Sequence, residues 1–299
     1  MARTIPTRRS VAKVRALAVS DGSVVERPGG SATNAAVALS RLLRPVLLAT
    51  SYGPDDRGRL LSEHLVASGV VLATDPHVVQ DTSVARARVG ADGAASYDFD
   101  VEWRLGPVTV ADVEVLHVSS LAPLLDPGAD VVAELVDRLA PTTTVSYDLN
   151  IRPAITGTGP EVLARVNRLV AQADLVKASD EDLAALWPDL DEDRAIQHLR
   201  AVGASNVVVT RGSGGARWSW GRRSTDQVFV DAHPVDVVDT IGAGDTFGAG
   251  LLDAVWDQLD TRLVGLGPES RAEALTHAAA CAAVTVSRAG ADPPWRAEL

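Results

Sequence analysis

Short apolar runs rich in Val alternate with stretches of helical periodicity along most of this 299-residue chain. Strands separated by helices do not pair as hairpins; they lie parallel, with the helices crossing back over the sheet. The pattern predicts strands at 46–50, 70–73, 115–120, 144–149, 174–178 and 206–210. Helices are predicted at 56–67, 128–140, 160–172, 192–202, 243–258 and 269–287. The first clear helix follows Gly29-Gly30: Ala32, Ala35, Ala36, Leu39, Leu42 and Leu43 share one 3.6-residue face, with Ser31 the expected N-cap.

Residues 80–104 depart from this pattern. Val84–Val89 alternates Ala with Arg, Gly90-Ala91-Asp92-Gly93 turns, and Ser96-Tyr97-Asp98-Phe99 follows. A hairpin with one polar face cannot be buried on both sides of a parallel sheet, so it is expected outside the core as a flap. A second β-rich stretch runs from Ala216 to Asp239, with Val235–Val238 read as a short strand.

Composition narrows the function. Hydrophobic residues make up 46%, enough to bury a sizeable core, and no apolar run reaches the roughly 18 residues of a membrane span. The Arg-bearing N-terminus lacks the apolar stretch of a secretory signal. The only cysteine, Cys281, sits in an Ala-rich helical stretch and is expected to be a buried, inert thiol, and the compartment the cytoplasm. A net charge of −11 disfavours nucleic acid as a partner. An anionic ligand would then need a local positive field, which backbone N–H groups at helix N-termini supply.

The run Asp239-Thr240-Ile241-Gly242-Ala243-Gly244-Asp245-Thr246 is the strongest chemical signal. Gly242 and Gly244 let the backbone turn sharply and approach a ligand closely. The first-turn N–H groups of the helix that follows are free, and with the helix dipole they form an anion hole for a transferred phosphoryl group. A carboxylate in that turn, Asp245, would repel phosphate unless it has a task, and accepting a proton from an attacking hydroxyl fits. A favourable acidic residue at a helix start is the alternative. No Walker A loop, dinucleotide fingerprint or protein-kinase signature occurs.

The Asp239–Phe247 run resembles the C-terminal signature of the ribokinase-like (PfkB) carbohydrate kinases. Gly29-Gly30-Ser31-Ala32-Thr33-Asn34-Ala35-Ala36 resembles the N-terminal signature of that family. The likeness covers roughly residues 20–299, with both signatures in order. It implies a three-layer α/β/α sandwich with a mostly parallel sheet and a small β lid. It also implies an ATP-dependent sugar kinase. By the resemblance, Asp245 is the catalytic base and Gly242, Ala243 and Gly244 the anion hole, while Gly29, Gly30 and Asn34 hold sugar hydroxyls.

Further segments carry the likeness. Asp148-Leu149-Asn150-Ile151-Arg152-Pro153 looks like the Asp-x-Asn-x-Arg segment of fructokinases and 2-keto-3-deoxygluconate kinases, which implies that Arg152 approaches the substrate or a phosphate. Lys177-Ala178-Ser179-Asp180-Glu181-Asp182 takes the place of a family segment that positions Mg²⁺ through water, implying Asp180 and Asp182 as metal-associated acids and Lys177 as an ATP contact; a helix-capping cluster is the alternative. Thr210-Arg211-Gly212-Ser213-Gly214-Gly215 resembles the nucleotide-binding turn, so Thr210, Gly212 and Gly215, with Thr240, are expected at ATP. Ser287–Asp292 resembles the closing segment near adenine and a monovalent-cation (K⁺) site. The 96–99 strand resembles fructokinase lids, and a homodimer through the lid is a family expectation.

The expected organisation is a kinase core at 29–79 and 105–299, a lid at 18–28 and 80–104, and an atypical segment at 1–17. The family opens with a core strand whose Asp binds sugar hydroxyls. The stretch Ser10–Val19 holds no acid, and Asp21, the first carboxylate, belongs with Gly22 in an expected lid turn. Ser119 stands where Gly is usual. Fructose is the first expected substrate, a 2-keto-3-deoxygluconate-type sugar acid the second and a nucleoside a distant third. A catalytically impaired sugar- or nucleotide-binding homologue is the alternative, because the N-terminal substrate strand is degenerate. An NAD-binding oxidoreductase is disfavoured by the missing early fingerprint.

Overall fold

The computed structural model describes residues 8–11, 15–20, 23–89, 95–110, 112–221, 223 and 225–299. First come β1 (Arg8–Val11), β2 (Arg15–Ser20) and β3 (Ser23–Glu26), then α1 (Ser31–Arg41), β4 (Val46–Ala49), α2 (Asp56–Ala67) and β5 (Val71–Leu72). The hairpin strands β6 (Val84–Val89) and β7 (Ala95–Asp100) precede β8 (Val115–Ser119), α3 (Gly128–Leu139) and β9 (Thr144–Asp148). Next are the single turn α4 (Pro153–Thr156), α5 (Pro160–Val170), β10 (Leu175–Ser179), α6 (Asp180–Leu186), α7 (Glu192–Val202) and β11 (Asn206–Thr210). Strands β12 (Ala216–Trp220) and β13 (Gln227–Val230) and helices α8 (Ala243–Ala254) and α9 (Pro268–Val286) follow.

Two sheets result. The larger has nine strands in the order β13-β12-β11-β10-β9-β8-β1-β4-β5, parallel except for β12 and β13. Every residue of β8 and β9 is buried, as a sheet covered by helices on both faces requires. Helices α1, α8 and α9 pack together, and α5, α6 and α7 form a second packed group, giving a three-layer α/β/α sandwich. The smaller sheet, β3-β2-β6-β7, is the flap expected from the Ala/Arg alternation.

From β1 the chain builds outward through β4 to β5, then returns to the other side of β1 with β8. Such a reversal opens a crevice at the carboxyl ends of the strands, the usual ligand site of an open α/β sheet. Small residues bring the helices that border it close together. A Cβ on Gly250 of α8 would lie 3.0 Å from both Ala278 Cα and Cys281 Sγ of α9. Cys281 is fully buried, and burial pushes its thiol up to about 12, so it is inert as expected.

Three expectations need correction. The described residues of the atypical segment 1–17 do not lie outside core and small sheet: Arg8–Val11 forms a central strand of the main sheet, parallel to β4 and β8, and the small sheet includes residues from Arg15 rather than from 18. A short polar-rich strand is unrecognisable by apolar pattern, and its place between two apolar neighbours decides its state. Val235–Val238 is not a strand; its backbone leaves the sheet, and Val238 N donates to Val286 O of α9. Ser31 is not the N-cap of α1; Gly30 is, at φ 114°, and the Ser31 hydroxyl is used elsewhere. The turn residues Asp21 and Gly22, and Gly90 to Gly93, lie outside the described residues.

One buried carboxylate ties the sandwich together. Asp253, near the end of α8, accepts from Arg44 Nε at 2.6 Å, from His277 Nε2 at 2.8 Å and from Arg296. Burial alone would raise its pKa, but the hydrogen bonds from His277, Arg296 and Arg44 outweigh it and hold the group at about 2. A carboxyl depressed in the folded state stabilises fully above the ordinary value near 4, and that stability is lost as pH falls toward about 2. The difference is worth about 2 kcal/mol. Asp253→Asn should therefore destabilise the chain by about 2 kcal/mol near neutral pH, since the half-exposed Arg44 and Arg296 lose the buried carboxylate they share. Urea melts should show that penalty shrinking on acidification; a penalty unchanged at the acid end would contradict the assignment.

Candidate active site

The site assembles where α1, α8 and the end of β9 meet. Gly242 caps α8 in the left-handed region at φ 78°, and a Cβ there would lie 2.5 Å from Ala291 Cβ, so both conformation and space demand glycine. Thr246 N makes the first intrahelical bond, to Gly242 O at 2.8 Å. Ala243 N reaches Thr240 O at 3.3 Å, which leaves the N–H groups of Gly244 and Asp245 without a helical carbonyl. Together with the dipole of a three-turn helix they define an anion hole.

Asp245 is 7% exposed and tightly held. Its Oδ1 accepts from Ser31 Oγ at 2.7 Å and from Asn150 Nδ2 at 3.1 Å; its Oδ2 accepts from Asn34 Nδ2 at 2.7 Å. Ser31 and Asn34 are three residues apart on α1 and so share a face. Asn150 adds a bond to Ser31 Oγ at 2.9 Å. Its backbone is left-handed, φ 38°, a conformation that asparagine tolerates better than most residues. All these donors are neutral. They fix the direction of the carboxylate without neutralising it, as a general base requires.

Asn34, Gly29 and Gly30 thus lie at the Asp245 end, and Asn34 serves the carboxylate directly. Ser31 and Asn150 were not singled out by sequence. The signal for Asn150 was its place just past a strand end, two residues before Arg152. Arg152 itself is exposed, with Nη1 bonded to Ile151 O at 2.9 Å.

A cleft of about 540 Å³ opens from the other side of the α8 start. Thr210, Gly212, Gly215, Thr240, Ala243 and Gly244 line it, with Val235, Val237, Ala279, Ala283 and Val286 forming an apolar wall. The polar turn and the apolar wall suit a ligand with a charged end and a flat, apolar end. Asp239 braces the rim: its carboxylate accepts from Ile241 N at 3.0 Å and Gly290 N at 2.8 Å.

Two predicted residues take other roles. Lys177 does not line the cleft; it is buried and paired with Asp148, Nζ to Oδ2 2.9 Å. Asp182 is also buried, with Oδ1 accepting from Ile151 N at 2.7 Å and Oδ2 from Ser179 N at 2.8 Å. It is half of a capping box that ties the end of β9 to the start of α6, the alternative weighed above. Asp180 remains exposed, accepting from Glu181 N at 3.1 Å. Among the described residues there is no group of three or more His, Cys, Asp or Glu arranged to hold a metal.

A carboxylate aimed by neutral donors beside free helix N–H groups, at the head of a large cleft, can accept a proton next to a bound anion. Residues 8–298 match the profile of the pfkB family carbohydrate kinases. A fructokinase from Rhizobium leguminosarum bv. trifolii is 36% identical over 232 residues, 75% of this chain and 70% of that protein. The structure of Xylella fastidiosa fructokinase with bound ATP superposes with a TM-score of 0.80 at 27% identity, covering 96% of this chain and 94% of that one. Vibrio cholerae O395 fructokinase bound to fructose, ADP and calcium gives 0.79 at 25% identity, covering 96% and 94%. The chain belongs to the pfkB family of carbohydrate kinases, and it is a fructokinase-like sugar kinase.

Asn150 offers a test of how far Asp245 depends on its holders. Asn150→Ala removes a donor without touching the nucleotide cleft. It should lower kcat by about 10- to 100-fold, the cost of a slightly misaligned reacting group, while leaving the thermal shift produced by nucleotide unchanged. Unchanged kcat would mean that Ser31 and Asn34 suffice.

Proposed function

We propose that the chain transfers the γ-phosphoryl group of ATP to a primary hydroxyl of a sugar, with fructose the preferred acceptor. The observation that carries this is the Asp245 carboxylate, held by Ser31, Asn34 and Asn150 beside the free N–H groups of the α8 first turn. Asp245 takes the hydroxyl proton. The alkoxide oxygen attacks the γ-phosphorus, the bond to the bridging oxygen breaks, and ADP leaves. The free N–H groups of the α8 first turn, those of Gly244 and Asp245, receive the charge that develops on the phosphoryl oxygens; of the predicted hole, Gly242 supplies the turn and Ala243 N is already bonded to Thr240 O. The nucleotide is assigned to the cleft, its phosphates toward Gly244 and its base against the apolar wall.

Mg²⁺ enters as part of the nucleotide substrate. With both oxygens of Asp182 engaged by backbone N–H groups, Asp180 is the one of the two predicted metal-associated acids left to meet its water shell. A monovalent cation is proposed beside the 287–292 loop, next to the Asp239 and Gly290 contact. Replacing K⁺ by a bulky organic cation in the assay should then depress kcat.

Fructose is preferred because of the Asp148–Arg152 segment and the fructokinase relatives. The four-stranded sheet acts as the lid that excludes water, and its open edges β3 and β7 are proposed as the contact between two copies. Sedimentation of the intact chain reads this directly; a monomer at micromolar concentration would remove it. Among the described residues no helix is long and apolar enough to cross a membrane.

ATP-dependent phosphorylation across fructose, other hexoses, 2-keto-3-deoxygluconate and nucleosides tests the reading. Fructose should give the highest kcat/KM. ATP that raises Tm while no acceptor is phosphorylated would replace the kinase by a binding protein. Asp245→Asn should lower kcat by about 10²-fold or more and keep nucleotide binding; near-normal turnover refutes the base assignment.

A further inference from the structure

Lys177 and Asp148 face each other in register at the carboxyl ends of β10 and β9. The ammonium donates to both carboxylate oxygens, at 3.0 and 2.9 Å, and the side chains are 6% and 1% exposed. Burying such a pair costs more desolvation than attraction usually returns, and apolar replacements are often neutral or stabilising. Stability is therefore a poor reason for its presence.

Its position supplies a better one. Lys177 Nζ lies 3.2 Å from where a Cβ of Gly244 would stand, directly under the first turn of α8. Farther along the helix, a Cβ on Gly248 would lie 3.7 Å from Lys177 Cδ and 3.9 Å from Asp148 Oδ2. The pair thus has its positive end toward Gly244 and its negative end one turn along the helix, in the same sense as the helix dipole. The other groups that bear on it add no positive charge. His117 is held neutral, lowered to about 4 by burial and by Lys177; burial first, then the Asp245 and Asp182 carboxylates, push Asp148 up to about 7 against the pull of the Lys177 ammonium. Without a cation, Asp148 and the base would be two carboxylates near one helix start.

We infer that Lys177 is a positioning residue: Asp148 holds its ammonium beneath Gly244, where it strengthens the anion hole and serves as counter-ion to the carboxylates there. This rests on the kinase reading above. Two of the three ammonium protons are given to Asp148, and Lys177 acts through the turn rather than as a nucleotide ligand.

The test replaces the charges together. Lys177→Met alone strands a buried carboxylate and should lower both Tm and kcat. Asp148→Asn/Lys177→Met removes both charges and should recover most of the Tm. Its kcat should stay about tenfold or more below the parent, as for loss of a transition-state donor, with KM for ATP within about threefold. Recovery of kcat along with Tm would show the pair to be structural only. Lys177→Gln, which keeps a donor to Asp148 without the charge, should match the double variant in kcat while its Tm falls between those of Lys177→Met and the parent. A second readout needs no sugar: affinity for ADP with and without aluminium fluoride, a mimic of the transferring phosphoryl group. The double variant should bind ADP like the parent and the fluoroaluminate complex about tenfold more weakly; equal binding of both would overturn the inference. A parent that binds both yet phosphorylates no acceptor would refute the kinase reading while leaving this comparison decisive.

Discussion

The position of one carboxylate organises this molecule. On the proposed mechanism, Asp245 has to lie beside N–H groups that bind phosphate and accept a proton there. That arrangement is repulsive when the phosphoryl group arrives, so the carboxylate has to be fixed from outside α8. Its holders come from far along the chain: Ser31 and Asn34 stand 214 and 211 residues away, and Asn150 stands 95 away. The parallel sheet makes this affordable, because its crossovers bring the start of α1, the start of α8 and the end of β9 to one crevice.

The glycines follow from the same demand. Gly242 turns the chain in a left-handed conformation against Ala291, Gly244 leaves room for the Lys177 ammonium, and Gly250 lets α9 approach α8. At the far end of α8, Asp253 gathers Arg44, His277 and Arg296. Helix α8 is thus anchored by a carboxylate at each end: Asp245 held by neutral donors, and Asp253 held by two guanidinium groups and an imidazole.

What the sequence revealed and what it hid divide along physical lines. The strands β8 to β11 were legible because both faces are buried and short Val-bearing runs recur between helical stretches. The flap was legible because its alternation is incompatible with such burial. β1 was not, since a four-residue strand with two arginines owes its state to β4 and β8 rather than to its own pattern. In the site, Asp245 and Gly242 announced themselves through local chemistry. Ser31, Asn150 and Asp182 did not, because each role depends on a partner distant in sequence. Ser31 read as a cap and Asp182 as a metal-associated acid until the fold showed what each one touches.

The corrected N-terminus bears on the acceptor end of the site. Ser10–Val19 read as a degenerate substrate strand because no acid lies within it. A core strand contributes two separable things: backbone ladders that close the sheet, and side chains at its carboxyl end. β1 makes the ladder contribution in full, pairing with β4 over four positions and β8 over three, so the crevice between β1 and β8 has both walls. Asp245, the start of α8 and the cleft therefore stand on an intact sheet, and in the proposed mechanism the missing acid bears on acceptor recognition rather than on scaffold. Losing one hydrogen bond to a sugar hydroxyl costs about 1 kcal/mol when water can replace it. In the proposed mechanism a loss of that size falls on KM, and leaves the proton transfer at Asp245 and the charge stabilisation at the first turn of α8 untouched.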